Sequence, residues 1–271
     1  MIKQRYGIVQ GRLVESEDGN LQCFPNKNWK KEFTYLKQTN LSFIELLAER
    51  KHNSNNPIWT DGGRKKIKEI LLSENVQIVT SCYDYIIENN IFKCDKVLEK
   101  TLSFCEISKN LGCSAVILPF LEISDLSSVN NENRLNCLKI IANHGKKLSL
   151  NIFIETLISA RELKKIITDV NSDFLKCVFD TGNRITLTHS IGNEIRTLSS
   201  LIGHIHIKDK NKNAENVLLG RGMVDFLEVF QALKDINYEG DFVFETVRGK
   251  NPLETAEFNV KYCEFYKNQV A

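Results

Sequence analysis

The feature of the sequence that most constrains the fold is a regular alternation of short apolar runs with longer segments of helical period. Eight runs rich in β-branched and aromatic residues are predicted as strands, at 6–9, 42–47, 77–81, 115–119, 149–155, 175–180, 204–208 and 241–245. The segments between them predict helices near 29–39, 61–75, 93–111, 131–147, 160–169, 190–200, 224–237 and 252–267. Such alternation is typical of repeated βα units that build a parallel sheet.

The connections indicate how that sheet is arranged. No Pro-, Gly- or Ser-rich linker divides the 271 residues, and GIVQGR after the first strand lacks the glycine spacing of a dinucleotide-binding turn. We therefore expect one α/β domain, residues 1–271, folded as a closed (β/α)8 TIM barrel. The longest connections, 14–28, 48–60, 81–92 and 209–222, follow strands, and loops of that kind build the active-site face of a barrel.

The charge and hydropathy of the chain restrict its partners. The 36 basic and 34 acidic side chains are interspersed, and a net charge of +2 predicts no basic surface for nucleic acid or for an anionic membrane. No stretch approaches the ~20 apolar residues that a membrane-spanning helix needs. We expect a small-molecule partner, no nucleic acid and no membrane, and the sequence leaves the formation of a homo-oligomer open.

The cysteines indicate a compartment. The eight cysteines include no CxxC pair, and MIKQRYGIVQGR has too short an apolar run for a signal peptide. Several cysteines also lie in apolar strand-like or helix-like contexts, where buried thiols are common. We therefore expect reduced thiols in a soluble cytoplasmic protein, with a zinc or disulfide framework as the alternative.

Four consecutive predicted strands carry a residue that can bind a metal ion. Strand five ends IFIE at Glu155, strand six ends VFD at Asp180, strand seven (HIHIKD) contains His206, and strand eight ends FVFE at Glu245. Each carboxylate follows an apolar run, so burial at the barrel mouth without a partner would be costly. A shared divalent cation removes that cost, and this donor set favours Mn²⁺ or Mg²⁺ over Co²⁺ or Zn²⁺. Each residue taken singly also has an ordinary structural explanation, such as a helix cap or an ion pair.

These strand ends carry a resemblance to a known family. The runs IFIE, VFDTGN, GHIHIKDK, LGRGMVDF and FVFE resemble the xylose isomerase-like barrel superfamily, in particular its sugar-phosphate isomerase/epimerase branch. GIVQGRL and SCYDY nearer the N-terminus are similar to members of the same branch. The resemblance implies that Glu155, Asp180, His206 and Glu245 bind one divalent metal ion, with Mn²⁺ as the first expectation. It also implies that Glu155 and Glu245 are catalytic.

One position departs from part of that family. Free-ketose 3-epimerases and apurinic endonucleases of the superfamily usually have a histidine three residues after the aspartate, where this chain has Asn183. The form found here is similar to that of pentulose-phosphate 3-epimerases. It favours a phosphorylated substrate, while an ordinary strand-to-loop turn explains Gly182 and Asn183 equally well.

The implied site has a definite chemistry. A cation at the carbonyl and adjacent hydroxyl of a ketose acidifies the neighbouring C–H, because it stabilises the developing enediolate oxygen. If Glu155 and Glu245 lie on opposite faces of the substrate, as base and acid, the stereocentre inverts and the enzyme is a 3-epimerase. If one group shuttles the proton between adjacent carbons, the same site interconverts an aldose and a ketose. The sequence leaves both reactions open.

Residues on the loops after the strands are candidates for binding the sugar or sugar phosphate. Basic groups there would pair with phosphate or carboxylate oxygens. For Lys208 and Arg248, neutralisation of the carboxylate cluster or exposure to water is the competing interpretation. For the third loop, with Tyr83, Asp84 and Tyr85, the competing interpretation is packing. The full set of substrate-binding candidates is Arg12, Glu45, Tyr83, Asn183, Lys208, Arg221 and Arg248.

Other functions compete for the same site. A dehydratase of a polyol-derived ketone would begin with the same proton abstraction and then expel a hydroxyl group. A non-catalytic sugar-binding barrel would keep the metal without the chemistry. An endonuclease is disfavoured because its several metal ions need additional histidines, whereas strands three and four end in VTSCYD and ILPFLE. The balanced charge also offers no surface for a phosphate backbone.

Overall fold

Parallel strands close into a ring, as the alternation predicts. The computed structural model describes residues 4–188 and 190–270. Its strands are β1 (Tyr6–Val9), β2 (Phe43–Ala48), β3 (Gln77–Tyr83), β4 (Ala115–Pro119), β5 (Asn151–Glu155), β6 (Leu175–Asp180), β7 (Ile202–Ile207), β8 (Asp209–Lys210), β9 (Asn216–Val217) and β10 (Phe242–Phe244). The barrel consists of β1 to β7 and β10, and β10 closes it by pairing in parallel with both β7 and β1. The prediction of a (β/α)8 TIM barrel is confirmed.

Helices surround the barrel. They are α1 (Trp29–Leu36), α2 (Asp61–Glu74), α3 (Tyr85–Glu88), α4 (Asp95–Leu111), α5 (Asn131–Leu148), α6 (Ala160–Val170), α7 (Thr181–Ile185), α8 (Ile191–Leu198), α9 (Phe226–Asp235) and α10 (Pro252–Gln269). Each predicted helix is present with ends shifted by a few residues, and the short helices α3 and α7 are additional. Over the described ranges, no helix combines the length and the apolar character that crossing a bilayer requires.

Local sequence signals explain where several helices begin and end. The Thr60 side chain accepts a hydrogen bond from the Gly63 backbone N–H at 3.0 Å and so caps the start of α2. Asn251 caps α10, and Pro252 occupies its first turn, where no N–H is needed. Gly112 ends α4 with a φ of 95°, a left-handed conformation that favours glycine. These caps hold the helices at fixed lengths between the strands.

Alternation along each strand separates the core from the site. Successive side chains point to opposite faces, so one set packs against the helices and the other fills the barrel. On β7 and β10, Ile205, Ile207 and Phe244 belong to the large outer core. Two small apolar clusters fill part of the interior, and their members are Val9, Phe43, Leu47, Cys82, Ala115, Ile117, Phe153, Val178 and Val243. The inward positions at the carboxyl ends of the strands are left for polar side chains.

The cysteines pack as small apolar side chains. All eight are free thiols, and seven of them are buried. Burial raises the pKa of the Cys105, Cys113 and Cys177 thiols to about 12. These thiols therefore stay protonated and unreactive at neutral pH.

The segment 209–222, expected as an irregular loop, begins with the β8–β9 hairpin and is then held by one buried carboxylate. Asp209 accepts backbone hydrogen bonds from Gly220 (3.0 Å), Gly222 (2.9 Å) and Val224 (3.1 Å). A Cβ atom at Gly222 would lie 2.1 Å from Asp209 Oδ1, so only glycine fits this approach. The Asp209 carboxylate and the three backbone N–H groups that it binds therefore form a clasp that holds the LGRGMVDF run in place. The periodicity of the sequence did not predict this clasp.

Asp209→Ala is expected to lower the free energy of unfolding by about 2–3 kcal/mol, because three backbone N–H groups lose a buried acceptor. Denaturant unfolding followed by circular dichroism measures the change. Asp18→Ala is the matched control, since Asp18 also accepts a backbone hydrogen bond, from Asn20, but is exposed. An equal loss in both variants would contradict the proposed clasp.

Candidate metal and substrate site

The four side chains predicted as metal ligands meet at the carboxyl end of the barrel. Register places Asp180 beside His206 on neighbouring strands. Glu155, Asp180 and His206 each present a donor atom within 4.8 Å of the other two. His206 Nδ1 lies 3.3 Å from Glu245 Oε2. The fold thus brings together all four residues, which are separated by up to 90 positions in the chain.

This donor set fits a divalent cation. Glu155, Asp180 and His206 are buried. Among the residues that the structure describes, Asp180 Oδ2 and His206 Nδ1 make no hydrogen bond of acceptable geometry, although Lys208 Nζ lies 3.0 Å from the first atom and Glu245 Oε2 lies 3.3 Å from the second. Buried polar atoms without partners are rare because they lose hydration without compensation. The two atoms lie 3.9 Å apart and beside the carboxylates of Glu155 and Glu245, an arrangement that a shared cation would complete.

Lys208 neutralises part of the carboxylate charge. Its Nζ atom lies 2.7 Å from Glu245 Oε2 and 3.0 Å from Asp180 Oδ2. This is the competing interpretation that the sequence left open for Lys208, and direct contact of Lys208 with substrate stays a prediction. Lys208 offsets only part of the charge of the three neighbouring carboxylates, and a divalent cation would offset more of it.

The two glutamates differ in their affinity for protons. Burial, reinforced by the charges of Asp180 and Glu245, raises the pKa of Glu155 to about 7. Burial would also raise the pKa of Glu245, but Lys208 and His206 beside it hold that pKa well below its ordinary value. At neutral pH, Glu245 is therefore ionised while Glu155 is partly protonated, and a divergent pair of this kind can divide the roles of base and acid.

Asn183 orients two of the candidate ligands. Its Nδ2 donates a hydrogen bond to Glu155 Oε1 at 2.7 Å, and its backbone N–H donates to Asp180 Oδ1 at 2.7 Å. Because Oδ1 of Asp180 is occupied as the cap of α7, the other oxygen, Oδ2, is left for the site. Contact of Asn183 with substrate stays a prediction.

A cavity of about 330 Å³ opens above these residues. Arg12, Asn183 and Lys208 line it, as does Glu45, which is fully buried. Arg12 Nη2 lies 3.8 Å from Glu245 Oε1 and donates to Gln22 Oε1 at 2.5 Å. The cavity therefore combines three of the four candidate metal ligands, Glu155, His206 and Glu245, with four of the seven side chains predicted for substrate binding.

The other three predicted substrate contacts lie elsewhere. Strand alternation turns Tyr83 outward, where its ring stacks on Phe104 with centroids 4.4 Å apart, and it turns Asp84 into the cavity. Arg248 donates to the carbonyls of Gly11 (2.7 Å) and Leu21 (2.9 Å) and so braces the first loop. Arg221 is exposed on the loop that Asp209 holds. Tyr83, Arg221 and Arg248 do not line this cavity, and their contact with substrate stays a prediction.

Two further lining residues were not anticipated from the sequence. Lys210 lies two positions after Lys208, on the short strand β8, and both residues line the cavity. The spacing of two residues could therefore have predicted Lys210 as a lining residue from the sequence. Gln22 lies in a loop without periodicity, and its bond to Asp84 Oδ2 (3.1 Å) depends on a contact across 62 residues that no local pattern encodes.

A second cavity, of about 350 Å³, lies at the opposite end of the barrel near the starts of β5 and β7. Lys176, Tyr238 and Glu239 are among its lining residues. It contains none of the four candidate ligands, so the chemistry belongs to the first cavity.

Comparison with known proteins agrees with this geometry. The family model described as xylose isomerase-like TIM barrel matches residues 33–264. The chain belongs to the xylose isomerase-like TIM barrel family. The resemblance inferred from the strand ends is thereby confirmed, and the family match includes both β2, with Glu45, and the four candidate ligands.

Several known proteins are similar in sequence to this chain. A Haemophilus influenzae protein provisionally named L-ribulose-5-phosphate 3-epimerase is 24% identical over 278 aligned positions, which cover 93% of each chain. The D-psicose 3-epimerase of Agrobacterium fabrum is 31% identical over 113 residues, or 39% of this chain and 38% of that protein. An inosose dehydratase of Clostridium botulinum is 25% identical over 162 residues, covering 51% and 53%.

A solved structure shows the same fold. The D-psicose 3-epimerase of Clostridium cellulolyticum H10, crystallised with D-tagatose, superposes with a TM-score of 0.76 at 15% identity, covering 97% of this chain and 99% of that one. Enzymes that epimerise small sugars thus recur among both the sequence relatives and the structural neighbours.

Mn²⁺ is expected to stabilise the folded protein, because a cation that binds the folded site and not the unfolded chain shifts the folding equilibrium. At a Mn²⁺ concentration of about 100 times the Kd, the gain is about 2.7 kcal/mol. Melting in Mn²⁺ and in EDTA measures it. Asp180→Asn should reduce the gain, and higher Mn²⁺ should restore part of it.

The matched control for this measurement is Asp173→Asn, which changes an exposed carboxylate just before β6. That variant should keep the wild-type response to Mn²⁺. If Asp180→Asn also responds like the wild type at every Mn²⁺ concentration, the ion binds elsewhere and the assignment of this site fails.

Proposed function

We propose that this chain is a divalent-metal-dependent epimerase that inverts the C3 stereocentre of a ketose, and more narrowly of a ketose phosphate. One observation carries the proposal: Glu155 and Glu245 face a single cavity from two sides of Asp180 and His206. Glu155 ends β5 and Glu245 follows β10, and β6 and β7 lie between these two strands in the ring. The similarity to ketose 3-epimerases supports the same class of reaction.

The chain's own residues provide the binding of the metal ion. Glu155, Asp180, His206 and Glu245 would hold it, and Mn²⁺ suits three carboxylates with one imidazole. When bound, the ion polarises the substrate carbonyl and so makes the adjacent C–H more acidic. Lys208, paired with Asp180 and Glu245, limits the repulsion between their carboxylates.

The two glutamates divide the proton transfer. One of the two glutamates accepts the proton from C3, and the other returns a proton to the opposite face. The C–H bond breaks with its electron pair moving toward the carbonyl oxygen, and a new C–H bond then forms with inverted configuration. In the reverse reaction the glutamates exchange roles. The hydrogen bond from Asn183 fixes the direction of the Glu155 carboxyl group.

Glu155→Gln and Glu245→Gln should each reduce exchange of the substrate C3 proton with solvent by about 10²- to 10⁴-fold, the usual contribution of a general acid or base. Glutamine keeps the shape and one ligand oxygen but cannot accept or return a proton at neutral pH. Deuterium incorporation from heavy water and metal content are measured in parallel.

Asp180→Asn is the matched comparison, because it alters a ligand without removing a proposed proton carrier. Its loss of exchange should be partly rescued by excess Mn²⁺, whereas the losses of the two glutamine variants should not be. A metal-loaded glutamine variant that exchanges at the wild-type rate would remove that glutamate from the mechanism.

The preference for a phosphorylated ketose rests on an unpaired cation. Lys210 lines the cavity and is half-buried, and its Nζ atom has no ion pair or hydrogen bond within the described part of the chain. Burial, together with the positive charge of Lys208, lowers the pKa of Lys210. Arg50, by contrast, also lines the cavity but is paired with Glu122 at 2.9 Å. An anionic group on the substrate would give Lys210 the partner that it lacks.

Lys210→Gln should lower kcat/KM for a ketose phosphate by about 10- to 100-fold, corresponding to the roughly 1.5–3 kcal/mol of a charged hydrogen bond. The activity toward the free ketose should change little. Steady-state kinetics on L-ribulose 5-phosphate and L-ribulose provide the comparison. Lys212→Gln, on the exposed part of the same hairpin, is the control and should leave both activities unchanged. Equal losses on both substrates would argue against a phosphate contact.

A dehydratase is the second candidate, favoured by the similarity to the inosose dehydratase. The same screen in heavy water separates the candidates. An epimerase yields an inverted, deuterated sugar, a dehydratase yields a product that has lost water, and a sugar-binding barrel yields neither. Loss of water without inversion on a polyol-derived ketone would replace the epimerase proposal.

A further inference from the structure

Glu45 is a fully buried carboxylate on the barrel floor that the proton-transfer scheme does not use. It lies on β2, with none of its surface exposed, and points into the barrel interior. Its Oε1 atom lies 3.0 Å from His206 Nε2, the ring nitrogen opposite the one that faces the candidate metal ligands. The link spans the barrel interior, because β1 and β10 separate β2 from β7 in the ring.

Both oxygens of Glu45 are engaged by the protein. Thr80 Oγ1 donates a hydrogen bond to Oε2 at 2.6 Å, while His206 Nε2 contacts Oε1. His204 Nε2 also lies 3.0 Å from Oε2. A carboxylate saturated in this way has little capacity left for a substrate hydroxyl. The contacts therefore argue against the substrate-binding role expected from the sequence.

An ionised carboxylate can only accept hydrogen bonds, so the nitrogen that faces Glu45 must carry a proton. When the imidazole is neutral, its other nitrogen, Nδ1, then has a free lone pair. Nδ1 is the atom that lies 3.3 Å from Glu245 Oε2 and 3.9 Å from Asp180 Oδ2. Glu45 thus selects both the ring orientation and the tautomer that present a donor atom to a cation.

We propose that Glu45 is a positioning residue that holds His206 as an Nδ1 metal ligand. The proposal rests on the metal site of the proposed function and deepens it. Ring orientation is fixed from β2, on the N-terminal side of the chain, while the candidate ligands come from β5 to β10 and the position just after β10. Correct closure of the barrel is then a condition for metal binding.

The test is the Mn²⁺ affinity of the full-length protein, measured from the electron paramagnetic resonance signal of free Mn²⁺. Glu45→Gln should weaken binding by about 10- to 100-fold, the usual effect of removing the carboxylate partner of a ligating histidine. Glutamine is similar in shape but presents an amide group that can donate toward Nε2, which favours a proton on Nδ1. Affinity equal to that of the wild type would overturn the proposal.

Ser81→Ala is the matched control. Ser81 is the neighbour of Thr80 on β3, is buried, and points outward to a 2.7 Å hydrogen bond with Ser108. Its loss should lower the melting temperature in EDTA and leave the Mn²⁺ affinity unchanged. If Ser81→Ala weakens Mn²⁺ binding as much as Glu45→Gln does, the effect is general loosening of the barrel and the proposal fails.

A double-mutant cycle with His206→Ala tests whether Glu45 acts through His206. In the His206→Ala background, Glu45→Gln should cause no further loss of Mn²⁺ affinity, and a full additional loss would overturn the proposal.

Glu45→Asp is a second variant, to be used if the glutamine variant does not fold. It keeps the buried charge but retracts the carboxylate, and it should also weaken Mn²⁺ binding. If the wild-type protein binds no Mn²⁺, both the proposed function and the role of Glu45 are overturned. If the wild type and both Glu45 variants bind Mn²⁺ equally well, only the role of Glu45 is overturned.

Discussion

Carboxylates that crowd together at the mouth of a barrel repel one another, and the arrangement of the site follows from how that repulsion is offset. Glu155, Asp180 and Glu245 are brought together by strand ends that the hydrophobic core holds in place, so they cannot relax by moving apart. Lys208 offsets part of their charge through contacts of 2.7 and 3.0 Å. The remaining charge would favour a cation at this point, and burial, together with the charges of Asp180 and Glu245, raises the pKa of Glu155. The proposed metal binding and the proposed acid–base chemistry would therefore depend on the same group of carboxylates.

The geometry of a β-strand supplies both the stability and the site. On β7, Ile205 and Ile207 pack against the helices, while His204 and His206 point into the barrel. A register shift of β7 by one residue would turn the apolar side chains into the barrel and the histidines toward the helices, and it would disrupt both the core and the site. The apolar outer core thus fixes the positions of the polar groups, and burial of its side chains is the dominant favourable contribution to folding.

The two halves of the chain contribute differently. The second half provides the candidate ligands and proton carriers, and the first half provides side chains that support and enclose them. Arg12 approaches Glu245, Asp84 lines the cavity, and Glu45 contacts His206 across the interior. These supporting contacts join residues far apart in the chain, so they form only when the ring closes. A site built in this way is complete only in the folded barrel.

The sequence by itself determined the fold class, the order of the elements and the four candidate ligands, because strand periodicity and the residues at strand ends are local patterns. It did not determine which loop residues face the cavity. From the sequence, Tyr83, Arg221 and Arg248 were as suitable as Arg12. In the structure, the Tyr83 side chain points outward and packs on Phe104, and the Arg248 guanidinium donates its hydrogen bonds to backbone carbonyls of the first loop. The tertiary structure alone decided those directions, the clasp at Asp209 and the contact between Glu45 and His206. The physical reason is that a side chain's partners depend on which distant segments the closed barrel brings within hydrogen-bond range, and no pattern of neighbouring residues encodes that distance.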